Sequence, residues 1–144
     1  MFISSYIALS NISVVSTPAP AIRGNTSGHE ASTDELMSVI AYNEAPVTLS
    51  GGDPLAQPEA TLELVKRIKS ELGYNIWCYT GYTWEQITND PMLAAIMPHI
   101  DTLVDSRFIL EKRDTSLRFK GSSNQRIIDV QASLKKNEVV LLDF

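Results

Sequence analysis

The residues of this chain best suited to bind a ligand lie near its middle, at Gly51, Gly52 and Asp53. They follow Val47 and Leu49, which are typical of a short buried strand, and they precede an amphipathic helix. Glycines let the backbone approach a ligand without an intervening Cβ, and a carboxylate beside free carbonyl groups suits an ammonium group. No Gly-Lys-Ser/Thr follows, so the segment is not a phosphate-binding P-loop. On their own these residues favour a structural turn, and the alternative is a ligand site that suits an ammonium group.

Strand and helix patterns alternate around this turn. Apolar residues at helical spacing predict a helix over residues 58–72, which ends at Gly73. Apolar runs predict strands at 46–50, 75–80, 102–105 and 127–130, and residues 113–120 are expected to be extended. Short glycine turns join these elements. We therefore expect an α/β domain with a mainly parallel sheet, in which ligands bind at the carboxyl ends of the strands.

Length and composition narrow the possible functions. A chain of 144 residues suits one domain, and its formal net charge of −5 argues against a nucleic-acid partner. No apolar stretch approaches the length of a membrane span. The single cysteine fits a reducing cytoplasm and excludes a disulfide framework within this sequence.

The residues alone assign no catalytic group and no metal ligand. Cys78 lies between Trp77 and Tyr79 in an apolar strand pattern, so we expect a buried structural thiol. His29 and His99 are far apart in the sequence and form no ligand pattern, so both are expected at the surface.

Five segments in the second two thirds of the chain share order and spacing with one known family. They are Val47-Thr-Leu-Ser-Gly-Gly-Asp-Pro-Leu55, Leu64-Val-Lys-Arg-Ile68, Asn75-Ile-Trp-Cys-Tyr-Thr-Gly-Tyr82, Leu103-Val-Asp105 with Arg107-Phe108, and Arg118-Phe-Lys-Gly-Ser-Ser-Asn-Gln-Arg126. Together they resemble the anaerobic ribonucleoside-triphosphate reductase-activating proteins, which are small radical S-adenosylmethionine enzymes. The resemblance covers about residues 46 to 134.

The resemblance implies a fold and a function. The fold would be an incomplete β/α barrel of the radical S-adenosylmethionine type, with Gly51, Gly52 and Asp53 receiving the methionyl ammonium. The family is cytoplasmic and acts as an oxidoreductase: a four-iron four-sulfur cluster cleaves S-adenosylmethionine reductively, and the resulting radical creates the glycyl radical of anaerobic ribonucleoside-triphosphate reductase. That reductase would be the partner, and a flavodoxin-like protein the electron donor.

Two departures from the family pattern limit what this chain is expected to do. The family holds its cluster with Cys-x3-Cys-x2-Cys, whereas this sequence has no cysteine before Cys78. The family also usually has Val-Asp-Gly where this chain has Val104-Asp105-Ser106. We therefore expect the chain as given to lack radical activity, and the alternative is a cluster-free module that binds S-adenosylmethionine or the reductase.

Residues 1–32 are expected to be irregular, as an out-of-frame or disordered segment ahead of one radical S-adenosylmethionine-like domain over residues 33–144. Back-translation of residues 14–21, read from the third base of each codon, permits Cys-Glu-His-x-Cys-Pro-Gly, which is most of the family's cluster loop. The next shifted codon cannot encode cysteine. Our hypothesis is a shifted reading frame before about Ser27, and the alternative is a natural extension that never bound metal.

Two further groups of residues each have two interpretations. Four aromatic residues lie in the predicted strand at 75–80 or just after it: Trp77, Tyr79, Tyr82 and Trp84. They can either stack on an adenine ring or pack in the core. The polar loop from Gly121 to Arg126 can either bond to itself and the backbone or, as the resemblance suggests, form a surface near the cofactor or the reductase.

Overall fold

The computed structural model describes residues 12–16, 21–23, 33–44, 46–51 and 53–142 of the chain. Within these residues the strands are β1 (Ile12–Ser16), β2 (Ala21–Arg23), β3 (Val47–Gly51), β4 (Ile76–Tyr79), β5 (Thr102–Asp105) and β6 (Arg126–Asp129). The α-helices are α1 (Thr33–Asn43), α2 (Pro58–Arg67), α3 (Trp84–Thr88), α4 (Pro91–Ala94) and α5 (Val130–Lys136).

The described strands form one sheet in the order β2-β1-β3-β4-β5-β6. The central strands β3, β4 and β5 are parallel neighbours, whereas β1, β2 and β6 pair antiparallel. The expected α/β class is confirmed, and the parallel arrangement holds for the central strands that carry the predicted binding turn. Beyond β6, Leu141 forms an antiparallel bridge with Ile128.

The two faces of the sheet differ in what covers them. Leu49, Cys78, Leu103 and Ile128 lie in register on neighbouring strands and are buried in the hydrophobic core with the helices. Burial alternates along β4, so that Trp77 and Tyr79 are only partly buried on the opposite face. There the ring of Trp77 lies 5.2 Å from that of Phe119. The segment that follows β5 therefore covers part of this second face.

The predicted helix over residues 58–72 is confirmed, with a change of geometry in its last turn. Helix α2 begins at Pro58. Proline suits this position because the N–H that it lacks would have no hydrogen-bond partner in the first turn of a helix. Its regular turns end at Arg67, and residues Ile68–Leu72 continue as a π-helix. Gly73 then ends the helix in the left-handed conformation, with φ at 70°.

Two expectations about irregular or extended chain need correction. Residues 1–32 were expected to be irregular, but strands β1 and β2 fall inside this segment. The reason is that β1 pairs with the edge of β3, and the β-branched residues at 12, 14 and 15 favour such pairing. The rest of that segment lies outside the described residues. Residues 113–120 were expected to be extended but consist mainly of turns, because Ser116 and Leu117 bond back to Asp114.

A membrane-spanning helix was not expected. Among the residues that the structure describes, every helix is too short or too polar to cross a bilayer.

Candidate functional site

A cleft of about 190 Å³ lies at the edge of the sheet where the parallel strands end. We call it the Asp53 cleft, and it is lined by residues of the turns after β3, β4 and β5 and of the loop before β6: Asp53, Tyr79, Thr80, Gly81, Ser106, Arg107, Phe108 and Gln125. Strand β3 ends at Gly51, directly before this edge. Gly52, the other glycine predicted to bind the cofactor, lies outside the described residues.

Asp53 connects two of these turns through its carboxylate. One oxygen accepts a hydrogen bond from the backbone N–H of Leu55 at 3.0 Å, which caps the short helix after β3. The Thr80 hydroxyl donates to the same carboxylate at 2.8 Å, and the backbone N–H of Gly81 donates to its other oxygen at 2.8 Å. The residues predicted to bind a ligand thus also form a structural turn, because Asp53 holds the ends of β3 and β4 together inside the cleft.

The donors to Asp53 are all neutral. In the described part of the chain, no Lys or Arg forms an ion pair with its carboxylate. A Cβ at position 81 would lie 3.4 Å from Oδ2 of Asp53, so a glycine there leaves the carboxylate open on that side. Among the described residues, the cleft therefore presents a carboxylate that is not paired with a Lys or Arg side chain.

Arg107 and Gln125 line the cleft but were not singled out as candidate ligands from the sequence. Gln125 donates from Nε2 to the backbone oxygen of Ser106 at 3.1 Å, and its Oε1 accepts from the N–H of Gly121 at 2.8 Å. The rule that parallel strands end at the same edge could have placed Arg107 near Asp53, because Arg107 lies two residues after the end of β5 at Asp105. The family resemblance suggested that the polar loop containing Gln125 lies near the cofactor, but no local pattern indicates that Gln125 itself joins them.

A second carboxylate at this edge, Asp105, is fully buried and paired with an arginine. Nη2 of Arg126 donates to Oδ2 of Asp105 at 2.5 Å and to Oε1 of Glu85 at 2.8 Å. The hydrogen bond from Arg126 lowers the pKa of Glu85, and the hydrogen bonds to Asp105 and Glu85 raise the pKa of Arg126. The N–H of Trp84 also donates to Asp105, at 2.9 Å. This network ties α3, β5 and β6 together.

Ser106 occupies a backbone conformation that favours glycine. Its φ is 79°, where an L residue brings its Cβ close to its own backbone. The side-chain hydroxyl donates to Oδ1 of Asp105 at 3.0 Å, which partly offsets the strain. The departure from Val-Asp-Gly noted in the sequence thus falls on a position whose geometry suits a glycine.

The polar loop from Gly121 to Arg126 is held by its own side chains, as one of the two interpretations predicted. Besides the bonds of Gln125, the side chain of Asn124 donates to the backbone oxygen of Arg107 at 2.8 Å. The buried hydroxyl of Ser122 accepts from the N–H of Ile109 at 3.2 Å. These bonds fix the loop against the residues that follow β5, and so bring it to the rim of the Asp53 cleft.

The four aromatic residues do not share one role. Trp84 is buried in the core, and Tyr82 packs against it, as the core interpretation predicted. Tyr79 lines the Asp53 cleft, where burial raises the pKa of its hydroxyl. Among these residues, Tyr79 is therefore the one placed to contact a ligand in the cleft.

Cys78 is a buried free thiol, as predicted. Burial raises the pKa of Cys78 well above its usual range, and the charge of Asp53 raises it further. A thiol held in this way resists the ionisation that metal binding needs. The described residues contain no group of three His, Cys, Asp or Glu side chains that could hold a metal ion.

Comparison with known proteins gives one consistent family. A family model described as a 4Fe-4S single cluster domain matches residues 19–128. The chain is 39% identical over 111 residues to a protein of Vibrio cholerae, covering 71% of this chain and 70% of that protein. It is 44% identical over 84 residues to one of Haemophilus influenzae and 35% identical over 85 residues to one of Enterobacteria phage T4. All three are named anaerobic ribonucleoside-triphosphate reductase-activating proteins.

The extent of these matches differs. The Haemophilus match covers 56% of this chain and 53% of the relative, and the phage match covers 56% and 51%. The chain therefore spans about half the length of these two relatives. No solved structure matches the chain.

Proposed function

The chain belongs to the family of anaerobic ribonucleoside-triphosphate reductase-activating proteins, within the 4Fe-4S single cluster domain family, and on that premise we propose that its Asp53 cleft binds S-adenosylmethionine. The partner protein that we propose is an anaerobic ribonucleoside-triphosphate reductase, which the names of the relatives specify for those proteins. The fold that we propose for the whole protein is the incomplete β/α barrel of radical S-adenosylmethionine enzymes.

The observation that carries this proposal is that, in the part of the chain that the structure describes, Asp53 forms no ion pair with a Lys or Arg side chain. Its neutral donors, Thr80 and the N–H groups of Leu55 and Gly81, orient the carboxylate without cancelling its charge. The methionyl ammonium of S-adenosylmethionine supplies the missing positive charge through charge-assisted hydrogen bonds. Arg107 lines the same cleft and suits the methionyl carboxylate.

The size of the cleft limits which part of the ligand it holds. At about 190 Å³ it is smaller than the roughly 300–1,000 Å³ of pockets that enclose a whole small molecule. We therefore assign it the amino-acid end, with Gly51 at the adjacent strand end and Tyr79 on the cleft wall.

A four-iron four-sulfur cluster, which the family description implies, does not fit the residues of this sequence. The cluster needs several thiolates, and the one cysteine present, Cys78, is buried with a raised pKa. We therefore assign no electron transfer and no bond cleavage to these residues. The proposed function of this chain is binding, of S-adenosylmethionine and of the reductase, in the cytoplasm.

The radical oxidoreductase activity of the family, with a flavodoxin-like electron donor, is proposed only for a form of the protein whose first residues supply the thiolates. Sequencing the source DNA that encodes residues 1–32 distinguishes the two forms. A frame that opens into Cys-x3-Cys-x2-Cys supports the active enzyme. The pairing of β1 and β2 with the sheet favours the cluster-free module, because those residues then contribute to the fold.

Calorimetric titration of S-adenosylmethionine into the folded chain tests the proposal. We expect saturable binding that Asp53→Asn weakens by about tenfold or more, since a hydrogen bond to a charged group contributes roughly 1.5–3 kcal/mol. Asp114→Asn is the matched control, because Asp114 is an exposed carboxylate outside the cleft that also accepts from a serine hydroxyl. Absence of saturable binding by the folded parent, or equal weakening by both variants, contradicts the proposal.

A further inference from the structure

A second cavity, of about 480 Å³, shares one lining residue, Gln125, with the Asp53 cleft. We call it the basic cavity, and its lining combines cationic and hydroxyl side chains with an apolar wall: Arg118, Lys120, Arg126, Ser116, Ser123, Leu117, Ile127, Leu141 and Leu142. We propose that the basic cavity binds an organic phosphate, with the phosphate on Arg118 and Lys120 and the organic group on the apolar wall.

Positive charge is concentrated in the stretch of sequence that supplies most of the lining of this cavity. Residues 107–126 contain six Lys and Arg residues and two Asp and Glu residues, in a chain whose formal net charge is −5. The same stretch turns back on itself between β5 and β6 and supplies most of the cavity lining. An otherwise acidic protein thus presents a local positive potential, which concentrates anions at this surface.

Two of the cations are held in place by groups that carry no negative charge. The guanidinium of Arg118 lies 5.7 Å from the centre of the Phe119 ring. Nζ of Lys120 donates to the backbone oxygen of Gln125 at 3.0 Å. No carboxylate of the described residues forms an ion pair with either side chain. Both cations are therefore oriented and keep their charge for a ligand.

Arg126 has a different part in the cavity. Asp105 and Glu85 already neutralise it, so it contributes donors and shape rather than net charge. The charged groups left for an anion are Arg118 and Lys120, and the hydroxyl of Ser123 lies in the same lining. A phosphate offers several acceptor oxygens with the geometry that an arginine fork and an ammonium group recognise.

The apolar residues of the lining explain why the ligand should be an organic phosphate rather than a free ion. Ile127 is buried and Leu141 is 58% exposed, so the wall presents apolar surface to the cavity. An apolar body attached to the phosphate would cover Leu141 and gain from its burial. S-adenosylmethionine does not match this lining, because its sulfonium and ammonium groups are cationic. The two cavities thus suit ligands of opposite charge.

Titration calorimetry with ATP, as a representative organic phosphate, tests this assignment independently of S-adenosylmethionine binding. The test variant is Arg118→Gln with Lys120→Gln. The matched control is Lys112→Gln with Arg113→Gln, which removes the same charge from the same stretch but outside the cavity lining. Inorganic triphosphate and adenosine probe the two halves of the ligand separately, and thermal unfolding checks that each variant is folded.

We expect saturable ATP binding that the test variant weakens by about tenfold and the control variant by less than about twofold. Asp53→Asn should leave ATP binding unchanged, so the assignment stands even if the cleft does not bind S-adenosylmethionine. It is overturned if the folded parent shows no saturable ATP binding, if both double variants weaken it equally, or if S-adenosylmethionine competes with ATP. Binding of a polyglutamate peptide without ATP binding also overturns it, in favour of an acidic protein surface.

Discussion

Asp53 and Asp105 are carboxylates at the same edge of the sheet, and each accepts a hydrogen bond from a backbone N–H beyond its own strand. They differ in burial and in the charge of their partners. Asp105 is fully buried and paired with Arg126. Asp53 is partly buried and accepts only from neutral donors in the described chain. The arginine neutralises Asp105 and commits it to the fold, whereas Asp53 stabilises a turn and keeps its charge. The two carboxylates therefore differ in the charge of their partners and not in their position at a strand end, and this difference underlies the binding role that we propose for Asp53.

The largest expected effect is on Asp105. Asp105→Asn leaves Arg126 with only the exposed Glu85 as a counter-charge, and an unbalanced charge at a buried pair costs about 3 kcal/mol of unfolding free energy. Urea denaturation followed by circular dichroism measures it. Asp114→Asn, at an exposed carboxylate, should give no measurable change. A similar stability for the two variants would mean that the pair does not hold β5 and β6 together.

Asp53→Asn should destabilise the protein less. The amide retains an acceptor oxygen but turns its NH₂ toward one of the present donors, so about one hydrogen bond is lost, at roughly 1–2 kcal/mol. The same denaturation experiment measures this change. A cost as large as that of Asp105→Asn would remove the distinction between the two carboxylates, because Asp53 would then be chiefly structural.

Ser106→Gly should stabilise the protein by about 0.5–1 kcal/mol, because glycine adopts the φ of 79° without the Cβ strain. The lost hydroxyl bond to Asp105 reduces the gain. Ser106→Ala separates the two contributions, since it removes the hydroxyl and keeps the Cβ. Thermal unfolding should rank glycine above serine and serine above alanine, and a glycine variant below serine would show that the hydroxyl outweighs the strain.

The smallest effect concerns pH and Glu85. Arg126 lowers the pKa of Glu85 in the folded state, so the pair contributes stability above the unfolded pKa of about 4.3 and loses it as pH falls through the folded pKa. The contribution is small because the Glu85 side chain is 62% exposed. Glu85→Gln should lower the unfolding temperature slightly at pH 6 and not at pH 3. An equal difference at both values would exclude the charge as its cause.

Local patterns in the sequence predicted the elements that local interactions determine. The helix from Pro58 ends at Gly73 as expected, because apolar spacing and terminal residues act within a few positions. The central strands β3, β4 and β5 also lie where their apolar runs predicted. The position of Asp53 at the carboxyl end of a parallel strand followed from this alternation alone.

Contacts between distant segments were not predictable in the same way. Whether Asp53 has a counter-charge depends on which side chains the turns after β4 and β5 bring near it, and the sequence carries no local signal for that. The same holds for Gln125, which reaches the cleft through the loop before β6. The pairing of β1 with β3 was also not predicted. Short strands gain most of their stability from the neighbouring strand, so their own residues give little local signal.

The antiparallel bridge beyond β6 covers the outer edge of that strand. Residues 140–142 pair with the outer side of β6: Asp129 donates its N–H to Val140 at 2.8 Å, and Leu142 donates its own to Ile127 at 2.8 Å. Without these bonds, β6 would offer unpaired N–H and C=O groups to the strands of other molecules. Residues 140–142 thus cover this edge of the sheet. If they detached, the exposed edge of β6 could pair with strands of other molecules and so promote aggregation.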